Sequence, residues 1–95
     1  MRFEWDSQKN EYNKIKHGIS FEEAQTVFDD RHAFFLNDDG HSFTEERFII
    51  IGLDKIFRML TVCYCERGED KESIRIISAR RATKQESNLY EEGLR

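Results

Sequence analysis

Glu46-Arg47-Phe48-Ile49-Ile50-Ile51-Gly52-Leu53-Asp54-Lys55-Ile56-Phe57-Arg58-Met59-Leu60-Thr61-Val62-Cys63-Tyr64-Cys65-Glu66 is the stretch on which the fold turns. It is rich in Ile, Phe, Val and Tyr and breaks once, at Asp54-Lys55. Such runs read as strands, here 46–53 and 56–66, and a connection this short makes them antiparallel. Outward from this pair, further strand-like runs fall at 32–37 and 73–80, and residues 2–5 suit a short one. Asp38-Asp39-Gly40 marks a loop, and Arg67–Glu72 makes a polar hairpin tip.

Helices frame these strands. Asp6 is placed to cap a helix running to about Lys16 and stopped by Gly18. Ser20-Phe21-Glu22-Glu23 reads as a capping box, and Phe21, Ala24, Val27 and Phe28 follow at helical spacing before Asp29-Asp30 closes the segment. Thr83-Lys84-Gln85-Glu86 opens a C-terminal helix with few apolar positions beyond Leu89 and Tyr90. The predicted class is α+β: an antiparallel sheet flanked by two N-terminal helices and one C-terminal helix.

At 95 residues the chain suits a single domain over 1–95, with one modest core and one shallow site. Charged residues make up 36%, but aromatics at 13% supply enough large side chains to anchor that core. The longest unbroken apolar run is Phe48-Ile49-Ile50-Ile51, far short of a membrane span. Met1-Arg2-Phe3-Glu4-Trp5-Asp6 meets acid at once and reads as no signal peptide, so a cytoplasmic protein is expected. Cys63 and Cys65, at i and i+2 on one strand, are read as reduced thiols. The three histidines are scattered at 17, 32 and 41, so neither a metal nor a cofactor is expected.

The net charge of −4 speaks against nucleic-acid binding until its distribution is read. Residues 55–84 hold eight basic and four acidic groups, a segment of +4, which leaves −8 on the rest. A basic half on an acidic frame can attract phosphate locally without a basic isoelectric point.

Phe3-Glu4-Trp5-Asp6, Lys9, Lys16-His17-Gly18, Ser20-Phe21-Glu22-Glu23-Ala24 and Val27-Phe28-Asp29-Asp30 resemble the opening of the BrnT-type toxins. Glu46-Arg47, Ile51-Gly52, Tyr64 with Glu66-Arg67, and Arg75-Ile76-Ile77-Ser78-Ala79-Arg80 resemble the rest, the last run being the most specific. The resemblance implies a RelE-like fold and a metal-independent endoribonuclease that blocks translation. It also implies a co-encoded ribbon-helix-helix antitoxin of the BrnA type, with a homodimer or a toxin–antitoxin heterotetramer as the assembly.

Metal-free RNA cleavage uses the ribose 2′-OH as nucleophile. The protein must remove its proton, protonate the leaving 5′-oxygen and stabilise charge on phosphorus. Arg67, Arg75 and Arg80, on or beside the last two strands, are the candidate phosphate ligands, the alternative being exposed salt bridges to Glu66, Glu69 and Glu72. His17 and Glu66 are the acid–base candidates, and Lys16 is a second phosphate ligand. His17 also suits a helix C-terminus as a favourable positive group. Trp5 and Tyr64 are candidates for base stacking, although Trp5 equally suits a core anchor. Ser78 reads as structural, and His32 and His41 are given no role. A catalytically silent module that binds RNA or the antitoxin, and a subunit that merely oligomerises, are the competing functional classes.

Overall fold

The computed structural model describes residues 1–38 and 45–95; the Asp39-Gly40 part of the expected loop, and His41, lie outside the described residues. The elements run β1 (Arg2–Glu4), α1 (Ser7–His17), α2 (Phe21–Gln25), a 3-10 turn (Thr26–Asp29), β2 (Phe34–Asn37), β3 (Phe48–Leu53), β4 (Met59–Arg67), β5 (Ser73–Arg81) and α3 (Lys84–Glu92). This is the expected α+β architecture, with a five-stranded sheet in the order β1-β5-β4-β3-β2. Every neighbouring pair is antiparallel except β1 and β5, which are parallel.

The caps form as the sequence implies. The Asp6 carboxylate accepts from the amides of Gln8 and Lys9, bonds that hold its pKa below the usual value. Gly18 takes φ +71°, a conformation that favours glycine, and donates its N–H to the Lys14 carbonyl. Both capping boxes close, Ser20 with Glu23 and Thr83 with Glu86.

Several boundaries differ from the sequence reading, among them the start of β3 at Phe48 rather than residue 46. The second helix leaves α geometry after Gln25, where the Thr26 hydroxyl donates to the Glu23 carbonyl at 2.7 Å and the chain tightens into the 3-10 turn. β2 begins at Phe34 because Asp30 folds the preceding residues into a turn, its carboxylate accepting from the His32 amide. β4 begins at Met59 because residues 54–58 form a longer turn than Asp54-Lys55 alone. The buried Asp54 carboxylate accepts from the amides of Ile56 and Arg58 and from Arg58 Nε, and Phe57 takes φ +64°.

α1, α2 and the 3-10 turn cover one face of the sheet. There Ile19, Phe21, Ala24 and Val27 meet Ile50, Leu60, Val62, Tyr64, Ile74, Ile76 and Ala79 in one buried cluster. Gly52 makes a close approach here, since a Cβ would lie 3.1 Å from both Asp30 Oδ2 and Val27 Cγ1. α3 packs on the opposite face against β3. Tyr90 on α3 donates its hydroxyl to Asp30 Oδ2 at 2.8 Å, tying the helix back across the sheet edge.

The last strand of the chain, β5, is interior to the sheet. β1 pairs with its first three residues, Ser73 to Arg75. Further along, Asn13 of α1 takes over: its amide donates to the Ala79 and Ile19 carbonyls and its oxygen accepts from the Ala79 amide. A buried asparagine thus completes the ladder that β1 is too short to reach.

Candidate functional site

The faces of β4 and β5 decide which side chains meet. On β4, Leu60, Val62 and Tyr64 face the helices, so Thr61, Cys63, Cys65 and Arg67 face the other way. On β5, Arg75 and Arg80 are an odd number of residues apart, and a regular strand would place them on opposite faces. A bulge prevents this. Cys63 pairs with Ser78 but Tyr64 pairs with Ile76, so Ile77 is the extra residue. The core positions accordingly step from Ile76 to Ala79, and Arg75, Ile77, Ser78 and Arg80 share the open face.

On that face lies a cavity of about 360 Å³ lined by Asp38, Arg47, Ile49, Thr61, Cys63, Ile77, Ser78 and Arg80. Arg47 stands one residue before β3, alternates with the core-facing Phe48, and so enters the cavity beside Ile49. Its Nε is buried with no hydrogen-bond acceptor among the described residues. Arg80 makes a two-point pair with Glu86 of α3, Nη1 to Oε1 at 2.7 Å and Nη2 to Oε2 at 2.9 Å. Glu86 Oε1 also accepts from the Thr61 hydroxyl and the Thr83 amide. These bonds, Arg80 first, hold the Glu86 carboxyl down at about 2. Burial pushes the Cys63 thiol above its usual pKa, so it sits in the cavity as a neutral group.

The remaining candidates are distributed around this cavity rather than gathered in it. Arg67 and Arg75 share its face but lie toward the other end of the strands; Arg75 pairs across from Cys65, and Arg80 across from Thr61. Those two rows are four residues apart, roughly 13 Å at strand rise. The three arginines therefore make a track, not a single phosphate clamp. Their carboxylate partners are not Glu66, Glu69 and Glu72. Arg67 meets Glu45 at 3.2 Å, Arg75 meets Glu4 at 2.8 Å, and Arg80 meets Glu86. Arg58, counted in the basic half of the chain, is spent inside the fold between Asp54 and Glu23.

Tyr64 points into the core, 6% exposed, with Phe28 edge-on at 5.0 Å and Phe48 stacked at 5.6 Å. Neighbouring rings take the place a base would need, and burial raises its hydroxyl to about 12. Trp5 is half-buried against the same cluster, edge-on to Phe21 at 6.1 Å. Glu66 is exposed on the helix side of the sheet, beside Glu45, Glu46, Phe48 and Lys71. His17 is half-buried at the end of α1, and Lys16 is exposed with its ammonium 5.8 Å from the Tyr12 ring. Neither acid–base candidate, His17 or Glu66, is among the residues that line the cavity holding Arg80.

Arg47 and Glu86 had no role in the sequence reading. Arg47 lies outside the basic half of the chain, yet its place before an alternating strand, out of phase with Phe48, marks it for the face opposite the core. Glu86 was legible only as the third residue of a capping box.

The chain is similar in fold to the BrnT ribonuclease toxin of Brucella abortus, known from a 1.1 Å crystal structure. The TM-score is 0.65 at 23% identity, over 88% of this chain and 99% of the other. None of the curated protein sequences compared matches it. Residues 5–86 match the family model described as the ribonuclease toxin, BrnT, of type II toxin–antitoxin systems. With the match spanning nearly every element from α1 to the start of α3, the chain belongs to the BrnT family of ribonuclease toxins of type II toxin–antitoxin systems.

Proposed function

We propose that this toxin cuts RNA at the open-face cavity without a metal ion, and that the loss of RNA blocks translation. The ribose 2′-oxygen bonds to the adjacent phosphorus, the bond from phosphorus to the 5′-oxygen breaks, and the products are a 2′,3′-cyclic phosphate and a 5′-hydroxyl. The 2′-OH proton leaves to solvent or a nearby base, and the leaving oxygen gains one. What the protein contributes is cationic stabilisation of the charge that builds on the phosphoryl oxygens, a contribution of roughly 10²–10³-fold per preorganised donor. Arg47 and Arg80 supply it, with the Ser78 hydroxyl beside them. The observation that carries this reading is that two arginines line one cavity, one of them with a buried Nε lacking an acceptor among the described residues. Arg75 and Arg67, each paired with one carboxylate, continue the row of arginines along which the strand's other phosphates would lie.

A type II system implies a cognate antitoxin. In this reading it is a ribbon-helix-helix protein that silences the toxin by covering the arginine track, in a toxin–antitoxin heterotetramer in the cytoplasm. The test of the activity is cleavage of a defined RNA by the purified toxin in excess EDTA, with analysis of the product ends. Undiminished cleavage leaving cyclic-phosphate ends, abolished by a 2′-deoxy substitution at the cut, is expected. Loss of activity in EDTA with recovery on adding a divalent ion would refute the metal-free route.

A further inference from the structure

We infer that Glu86 is a positioning residue for the cleavage reaction: it holds one edge of the Arg80 guanidinium so that the other edge stays available as a ready-made phosphate fork. This rests on the placement of the reaction in the open-face cavity. Arginine carries five N–H groups in a rigid plane. Glu86 takes one from Nη1 and one from Nη2, the end-on edge of the group. The second Nη1 proton goes to the Arg81 carbonyl at 3.3 Å. What remains is Nε–H together with the outer Nη2–H, which lie parallel along the side of the guanidinium. No acceptor among the described residues takes either one. Two parallel donors are the pattern that matches two oxygens of a phosphate. Arg80 lines the cavity, and 41% of its side chain stays accessible.

Glu86 is built for this task. It is the third residue of α3, fixed by the capping box, so its position is set by the start of the helix. The same oxygen that takes Nη1 also receives the Thr61 hydroxyl from the cavity floor and the Thr83 amide. Helix start, strand β4 and the Arg80 side chain therefore meet at one carboxylate. A free arginine side chain would have to surrender its rotamer freedom on binding RNA; here that ordering is complete beforehand.

The conservative change Glu86→Gln keeps the capping box, since glutamine serves at that position, and keeps one acceptor for Nη1. It loses the second arm of the clamp. The expected effect is a fall in kcat of about tenfold with KM within twofold, because a loosened fork still meets RNA but no longer holds the transition state. The decisive comparison is a double-mutant cycle with Arg80→Ala, each variant checked for its fold by circular dichroism. If Glu86 acts through Arg80, Glu86→Gln costs nothing further once Arg80 is alanine. An equal loss in both backgrounds would overturn the proposal in favour of a purely structural role at α3. Faster cleavage by Glu86→Gln would overturn it in the other direction, making Glu86 a competitor for the guanidinium. If Arg80→Ala alone leaves cleavage intact, it is the placement of the reaction in this cavity that fails.

Discussion

In the proposed reaction Arg47 and Arg80 carry the chemistry at the scale of single residues, and their environments differ. Arg80 is paired with Glu86, whereas Arg47 keeps a buried donor without an acceptor among the described residues. Arg47→Ala is therefore expected to reduce RNA cleavage at least tenfold while the protein stays folded, because it removes a charge donor from the cavity. Steady-state cleavage beside a melting curve checks both halves of that statement. Glu86 links site and stability through pH. Its carboxyl falls from an ordinary 4.5 to about 2 in the folded protein, so the stability it contributes is complete above pH 4.5 and is lost as pH falls toward 2. The melting temperature of the parent protein should exceed that of Glu86→Gln by a constant margin above pH 4.5, and the margin should close between there and pH 2. A margin independent of pH would show that the carboxylate is not held by Arg80 as described.

At the scale of elements, the sheet's open face depends on two devices. One is the bulge at Ile77, which turns Arg80 to the same side as Arg75. The other is Asn13, which bonds both the Ala79 amide and the Ala79 carbonyl two residues past the bulge. Asn13→Ala leaves buried backbone groups unsatisfied, each worth about 1–3 kcal/mol. We expect a loss of at least ~2 kcal/mol in denaturant unfolding, with Asn13→Asp no substitute because a carboxylate cannot donate. A loss below about 0.5 kcal/mol would mean that water replaces the amide without difficulty. These devices explain what was and was not legible in the chain. Helix starts and ends were legible at Asp6, Gly18, Ser20 and Thr83 because each is fixed by its immediate neighbours. The strands were legible from their apolar residues, and their edges shifted where Asp30 and Asp54 folded the approaches into turns. The bulge was not legible, since Ile76-Ile77 offers two equally apolar side chains and nothing local says which one faces the helices. Nor was the burial of Asn10 and Asn13, polar residues whose partners lie on α2 and, up to 66 positions away, on β5.

Over the whole molecule, the sheet divides the candidate residues into two populations. Tyr64, Trp5 and Glu66 belong to the helix side, with Tyr64 and Trp5 packed into its cluster, while Arg47, Arg67, Arg75 and Arg80 belong to the open side. The antitoxin reading uses this division. If the partner covers the arginine track, Arg67→Glu should weaken the complex at least tenfold, and raising salt should weaken the parent complex in the same sense. Titration calorimetry at two salt concentrations reads both, and a complex indifferent to the reversal and to salt would place the partner elsewhere.

The same division gives the account its most direct test: RNA cleavage by four folded variants, Arg47→Ala and Arg80→Ala from the open-face cavity, His17→Ala and Glu66→Ala from outside it. The first two are expected each to lose tenfold or more in kcat/KM, and the second two to stay within threefold of the parent. Full activity in the arginine variants, with the loss falling on His17 or Glu66, would contradict it.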